Sequence, residues 1–320
     1  MTDPVTAATE PPADPEVPDV RALGARLSNW GRWGADDERG TTNLITPARI
    51  VEAAKLVRTG EVFDLGIPLD SDGPQPGGFR VNPIRLMSEN GQEQELPGGL
   101  TWADDYVFMP LQAGSQYDAL SHIHYDGRLY NGHPSRDVTS KGAQRCGIHT
   151  QANGITGRGV LLDIAGLNGV DWLPGGHLIS PADLEEAERA HGVTVGPGDI
   201  LLLRTGWWRK FTSDRDATAF MDTEPGLGLA CAEWLRDRDV AVVGADNHAI
   251  EVVPGENKAG MFELHMVLIR DMGVTLAEIL DLEALAASCA ADGVYEFLYA
   301  GSPLKFTRAV GSPINPLAIK

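Results

Sequence analysis

Gln112-Ala-Gly-Ser-Gln116-Tyr-Asp118-Ala-Leu-Ser-His122-Ile-His124-Tyr125-Asp126-Gly127 is the densest run of chemically capable side chains in the 320-residue sequence. Gln112, Gln116, Asp118 and His122 are separated by four, two and four positions. Such even spacings place all four on one face of an extended backbone. Asp and His are ordinary ligands for a first-row divalent metal, whereas Gln offers only a neutral carbonyl oxygen. The same residues also read as a turn opening at Asp118 and a core hydrogen bond for His122, since buried polar groups need partners for purely structural reasons. Spacing leaves both readings open.

Composition narrows the classes around this segment. With 42% hydrophobic and 22% charged residues over 320 positions, the chain has the makeup of a globular protein with a sizeable core. A formal charge of −19 repels phosphate backbones and anionic lipid, so neither nucleic acid nor a membrane is an expected partner. Cys146, Cys231 and Cys289 lack paired spacing, which argues against a disulfide framework or a Cys-based zinc site. Residues 1–20, rich in Pro, Ala, Asp and Glu, lack the basic start and apolar run of a secretory signal, and are expected to form a flexible arm. No run reaches the roughly 20 apolar residues of a membrane-spanning helix. The expectation is a cytoplasmic protein that acts on a small molecule and, by base rate, forms a homo-oligomer.

Taken in order, Val20 to Leu27 has helical spacing, and Asn29 to Gly34 makes a turn holding Trp30 and Trp33. Thr46-Pro47 opens a helix that Gly60 stops. Val62 to Leu69 and Phe79 to Met87 read as strands, the second confined to an edge by Pro83. The apolar run Asp105 to Leu111 leads straight into the opening segment, and Tyr125 to Gly132 carries the turn chemistry of a surface loop. Further on, Gly159 to Ile164, Asp199 to Arg204 and Val240 to Val243 read as strands. They alternate with helices over Ser180 to Arg189 and Gly226 to Arg236. His133 and His149 have no evident partners and read as structural.

The pattern Gln112-x-Gly114-Ser115-Gln116-x-Asp118-x-Leu120-x-His122 resembles the signature of the cyclase-like metal hydrolases, the family of bacterial kynurenine formamidase and isatin hydrolase. That signature is usually His-x-Gly-Thr-His-x-Asp-x-Pro-x-His. Here two histidines are glutamines, Thr is Ser and Pro is Leu, while Gly114, Asp118 and His122 match. Asp199 to Trp207, Val240 to Asp246, His265 to Ile269, Glu278 to Leu282 and the tail from Phe297 to Pro316 resemble later landmarks of the family in order and spacing.

The resemblance implies a single α/β domain of the swivelling β/β/α type over residues 21–320. It implies one divalent metal, Zn or Mn, held by Asp118, His122, His265 and Glu278, because replacing the two histidines weakens a second position. The His265 to Glu278 gap of 13 is one residue longer than the family pattern, which an insertion around Arg270 to Gly273 explains. His122, His124 and Glu278 are the candidate acid–base residues. Gln112 and Gln116 could hydrogen-bond the substrate carbonyl, and Tyr125, Trp30 and Trp33 could wall a pocket for an aromatic or cyclic substrate, although such tryptophans also anchor loops. The implied chemistry is hydrolysis of a non-peptide amide, a formamide or cyclic amide, or of a lactone, by metal-activated water. The alternatives are a metal-independent cyclase or dehydratase using Asp118 and His122 as an acid–base pair, and a non-catalytic small-molecule binding protein.

Overall fold

The computed structural model describes residues 18–91, 93, 95–257 and 260–320. Most of the expected arm, residues 1–17, lies outside them. Asp19 caps the first helix, Val20–Leu27, its carboxylate accepting the Ala22 N–H at 2.8 Å.

A nine-stranded sheet organises the chain. Its strands are β1 (Val62–Asp64), β2 (Gln116–Asp118), β3 (Ile155–Asp163), β4 (Ile200–Arg204), β5 (Val242–Ala245), β6 (Thr275–Glu278), β7 (Glu296–Gly301), β8 (Gly311–Pro313) and β9 (Leu317–Ile319). Their order across the sheet is β1-β9-β7-β3-β4-β5-β6-β2-β8. The middle four, β3 to β6, run parallel, and every other pairing is antiparallel. Strands in the middle of a parallel sheet are covered on both faces and so read as unbroken apolar runs. Ile200-Leu-Leu-Leu203 is such a run, with Leu201 and Leu203 in one core cluster and Ile200 and Leu202 in another. Each fully buried leucine there contributes about 1.5–3 kcal/mol.

The alternating second half of the sequence emerges as expected. Ser180 caps the helix Pro181–His191 in a reciprocal box with Asp183, and Gly192 ends it in the left-handed conformation. The helix expected from Gly226 starts later, at Cys231–Asp237, because Gly226–Leu227 pairs instead with Leu178–Ile179.

The first half differs more. The second expected strand forms as Ile84–Asn90, and it pairs only with Ala103–Phe108, in a hairpin outside the main sheet. Extended structure stops at Phe108, and a turn from Pro110 to Ala113 intervenes before β2. The single extended face expected from Gln112 to His122 is therefore replaced by a three-residue strand with a turn at each end.

Candidate metal centre

Two strands and one helix build the site. In β2 only Gln116 and Asp118 share a face, and Tyr117 points the other way into the core, where its hydroxyl meets that of Tyr299 at 2.7 Å. The register pairs Leu276 with Asp118 and Glu278 with Gln116, so directly opposed residues put Asp118 and Glu278 on that face. His265 descends onto it from the short helix Glu263–His265, which continues as the π-helix Met266–Met272. A π-helix takes up more residues per turn than an α-helix, so the chain makes wider turns between His265 and Glu278.

The other signature positions have structural reasons. A Cβ at Gly114 would lie 2.7 Å from the Leu69 side chain. Ser115 Oγ accepts the Ile67 N–H at 2.9 Å and donates to the Ile279 carbonyl at 2.5 Å, tying the approach to β2 onto the end of β6.

Asp118, His265 and Glu278 converge, each offering a ligand atom within 4.8 Å of the others, and all three are buried. His265 Nε2 lies 3.0 Å from Glu278 Oε1, and the Gln116 amide donates to Glu278 Oε2 at 2.5 Å. Burial and the neighbouring Glu278 charge push the Asp118 carboxyl well above the usual range. Burial would raise Glu278 too, but the hydrogen bond and charge of His265 outweigh it and hold Glu278 low. Burial works against the charged form of His265, yet its bonds to Glu251 and Glu278 carry its pKa well up.

The donor set fits a divalent ion. Asp118 Oδ1 and Gln116 Oε1 are buried without a hydrogen-bond partner, and such acceptors are costly unless a cation or donor meets them. Asp118, Glu251 and Glu278 bring three buried carboxyl groups near one imidazole, a set rich in the oxygen donors that a divalent cation takes. A mixed carboxylate and imidazole set suits Zn or Mn alike.

His122 stands beside this cluster and not in it. The turn after β2, closed by the His122 N–H to the Ala119 carbonyl at 2.8 Å, brings its Nε2 to 3.8 Å from Asp118 Oδ1. Burial lowers its pKa to about 4, so the ring is neutral. The group of ligand atoms that all lie within 4.8 Å of one another does not include it.

The chain matches the model of the family described as "Putative cyclase" over residues 63–252. It belongs to this cyclase family. A crystal structure described as a novel cyclase is 42% identical and covers 92% of this chain and 100% of that one, with a TM-score of 0.86. Isatin hydrolase of Roseibium aggregatum is 30% identical over 147 residues, or 43% of this chain and 51% of that protein. The chain thus spans about half the length of that relative. Isatin hydrolase A from Labrenzia aggregata, bound to benzyl benzoate, shares the fold at 20% identity, with a TM-score of 0.60 over 85% of this chain and 97% of that one.

Other residues expected at the site lie outside the triad. Gln112 is buried in the turn before β2 with its Nε2 unpartnered. His124 is exposed. Tyr125 donates to Asp271 at 2.5 Å, and Trp30 donates to the Arg270 carbonyl at 2.8 Å. The Arg270 guanidinium lies over both rings, at 4.1 Å from Tyr125 and 4.5 Å from Trp30, and Arg32 covers Trp33 at 4.8 Å. Trp30 thereby ties the N-terminal segment to the π-helix, while Trp33 packs within its own turn.

Two groups were missed in the sequence. Glu251 binds His265 at its backbone and at its ring, at 2.9 and 2.5 Å. Glu224, fully buried, accepts the His248 N–H at 2.8 Å and faces His248 Nδ1 at 2.5 Å. The only sequence signal of Glu251 is an acid flanked by apolar residues, Ile250-Glu251-Val252, and Glu224, between Thr223 and Pro225, has none.

Proposed function

We propose that the chain is a metal-dependent hydrolase of a non-peptide amide, a formamide or cyclic amide, or of a lactone, in a small aromatic or cyclic substrate. The convergence of Asp118, His265 and Glu278 around the unpartnered Asp118 Oδ1 carries this reading. The isatin hydrolase relative supports the cyclic amide within that class.

A divalent ion bound by Asp118, His265 Nε2 and Glu278 would supply a water of lowered pKa and polarise the substrate carbonyl. His122 is the group able to take a proton from an attacking water, because its ring is neutral and faces the cluster. Glu278 serves as ligand, held in place by the Gln116 amide at Oε2. Gln116 positions Glu278, and Gln112, with a free amide, is the glutamine left to hydrogen-bond a substrate oxygen. The enzyme would act in the cytoplasm, which the three free, buried cysteines support. Among the described residues, no helix is long and apolar enough to cross a membrane.

One feature favours a second reading. Asp118, with its carboxyl held toward the protonated form, and neutral His122 make an acid and a base 3.8 Å apart, able to serve a metal-free dehydration or ring closure. Chelation separates the two. Purified protein is stripped of metal and assayed on formamides, cyclic amides and lactones, then again after Zn or Mn is restored. Hydrolysis lost and regained supports the hydrolase; turnover unchanged in stripped protein overturns it in favour of the acid–base pair.

A further inference from the structure

The loop that leaves β5 brings another imidazole to the edge of the metal cluster. Parallel strands present their ligands at their C-terminal ends, and β5 and β6 end side by side. There the Asn247 carbonyl accepts the N–H of Ile279, the residue after Glu278, at 2.8 Å. The next residue is His248, and further along the same loop Glu251 holds His265. The loop is fixed in place, because Asn247 donates to the Pro225 carbonyl at 2.7 Å and accepts the Ile250 N–H at 3.0 Å.

Glu224 directs the His248 ring. Its Oε2 accepts the His248 backbone N–H at 2.8 Å and faces Nδ1 at 2.5 Å. Two backbone bonds between Glu224 and Val253, at 2.9 and 3.1 Å, hold the carboxylate's own segment. Glu224 is wholly buried and Nδ1 is sealed from solvent, yet the His248 side chain stays 9% exposed. Among the described residues no hydrogen bond reaches its Nε2, so the open edge of the ring is the Nε2 edge. Phe220 lies beside the ring, centroids 6.2 Å apart, in a buried apolar group that includes Trp208 and Ile279.

A carboxylate behind one nitrogen and nothing on the other sets an imidazole to pass a proton. Burial works against the charged ring, but the charge and bond of Glu224 and the charge of Glu278 outweigh it and raise its pKa. Burial raises the Glu224 carboxyl as well, so the pair keeps a proton. Hydrolysis of an amide or lactone needs such a donor. Once His122 has taken a proton from the attacking water and the hydroxyl has joined the carbonyl carbon, the bond to the leaving nitrogen or oxygen breaks. Its electron pair stays on that leaving atom, which must be protonated to depart.

We propose that His248 Nε2 supplies this proton to the leaving atom, with Glu224 as the residue that positions it. The proton that His122 took passes to solvent, and solvent recharges His248, so the net change is addition of one water. This role rests on the hydrolase reading.

The test loads wild type, His248→Gln and Glu224→Gln with Zn or Mn, checks each by elemental mass spectrometry and far-UV circular dichroism, and compares two forms of one substrate. The substrate is whichever of formanilide, oxindole and dihydrocoumarin wild type turns over, plain and with a nitro group para to the leaving atom. The nitro group withdraws electrons, so the leaving atom departs with less need of a proton. His248→Gln is expected to keep its metal and to lose about 10²- to 10⁴-fold in kcat on the plain substrate, but far less on the nitro form. Glu224→Gln is expected to shift the same way by a smaller factor. Equal losses on both forms mean a merely structural role and overturn the proposal, as does a wild-type rate or lost metal in His248→Gln. Should His248→Gln not fold, the same contrast in Glu224→Gln decides. If wild type hydrolyses none of the three, the hydrolase reading itself falls, and the role of His248 with it.

Discussion

Glu251 grips His265 twice, taking its backbone N–H at 2.9 Å on the same oxygen that faces ring Nδ1 at 2.5 Å. The ring is thereby held with Nε2 turned toward Glu278. Such a carboxylate behind an imidazole fixes both its tautomer and its direction.

Replacing Glu251 by Gln keeps the shape and removes the charge. Metal affinity is expected to fall about 10- to 100-fold, the usual cost of losing such a partner. Zn titration by isothermal calorimetry reads this directly, and affinity equal to wild type would refute the role.

Asp118→Asn and His122→Ala separate holding the ion from moving the proton. Asp118→Asn is expected to lose bound metal, as measured by elemental mass spectrometry. His122→Ala is expected to keep it while hydrolysis drops about 10²- to 10⁴-fold, the range for losing a general base. Metal loss in both variants would return His122 to the ligand set.

Gln112→His/Gln116→His restores the imidazoles of the signature that this chain resembles. Gln116 is fully buried against Glu278 on the face that carries Asp118, and Gln112 is buried in the turn before β2, and each imidazole would be a stronger donor than an amide oxygen. Metal content is expected to rise from one to two per chain. No increase would show that the glutamines are not what limits the stoichiometry.

Asp246 sets a pH dependence away from the metal cluster. It accepts from Thr205 N, Thr205 Oγ1 and Gly206 N, at 2.9, 2.6 and 2.7 Å. Burial nevertheless raises its pKa from 3.8 to about 7. The folded state therefore holds this proton more tightly than the unfolded state, and the group's contribution falls as pH climbs from about 4 to about 7 and is level above that. In Asp246→Asn that decline is expected to vanish, so Tm plotted against pH should be flatter than wild type across this window. Parallel Tm curves would contradict the raised value.

Much of this site could be read before any coordinates. Asp118 is marked by a signature whose spacing survives substitution, His265 and Glu278 by donor chemistry in the later landmarks, and the parallel core announced itself in runs such as Ile200-Leu-Leu-Leu203. What escaped depended on partners far away in sequence. Even spacing could not show that extended structure lasts only from Gln116 to Asp118, because turns on both sides satisfy the same pattern. The aromatic ring of Trp30 advertised a ligand, yet Arg270, 240 positions on, claims its indole N–H. Glu251 looked like any acid between two apolar neighbours until His265 folded onto it.

Asp118 rides on a strand whose two neighbours come late in the chain, β6 at Thr275–Glu278 and β8 at Gly311–Pro313. During synthesis, then, the ligand strand has no partner until residues 275–278 have left the ribosome, long after Asp118 itself emerged. A chain halted or clipped between β6 and residues 311–313 keeps one flank of that strand and lacks the other. The triad is therefore framed late in synthesis, and the strand that closes its outer edge follows later still.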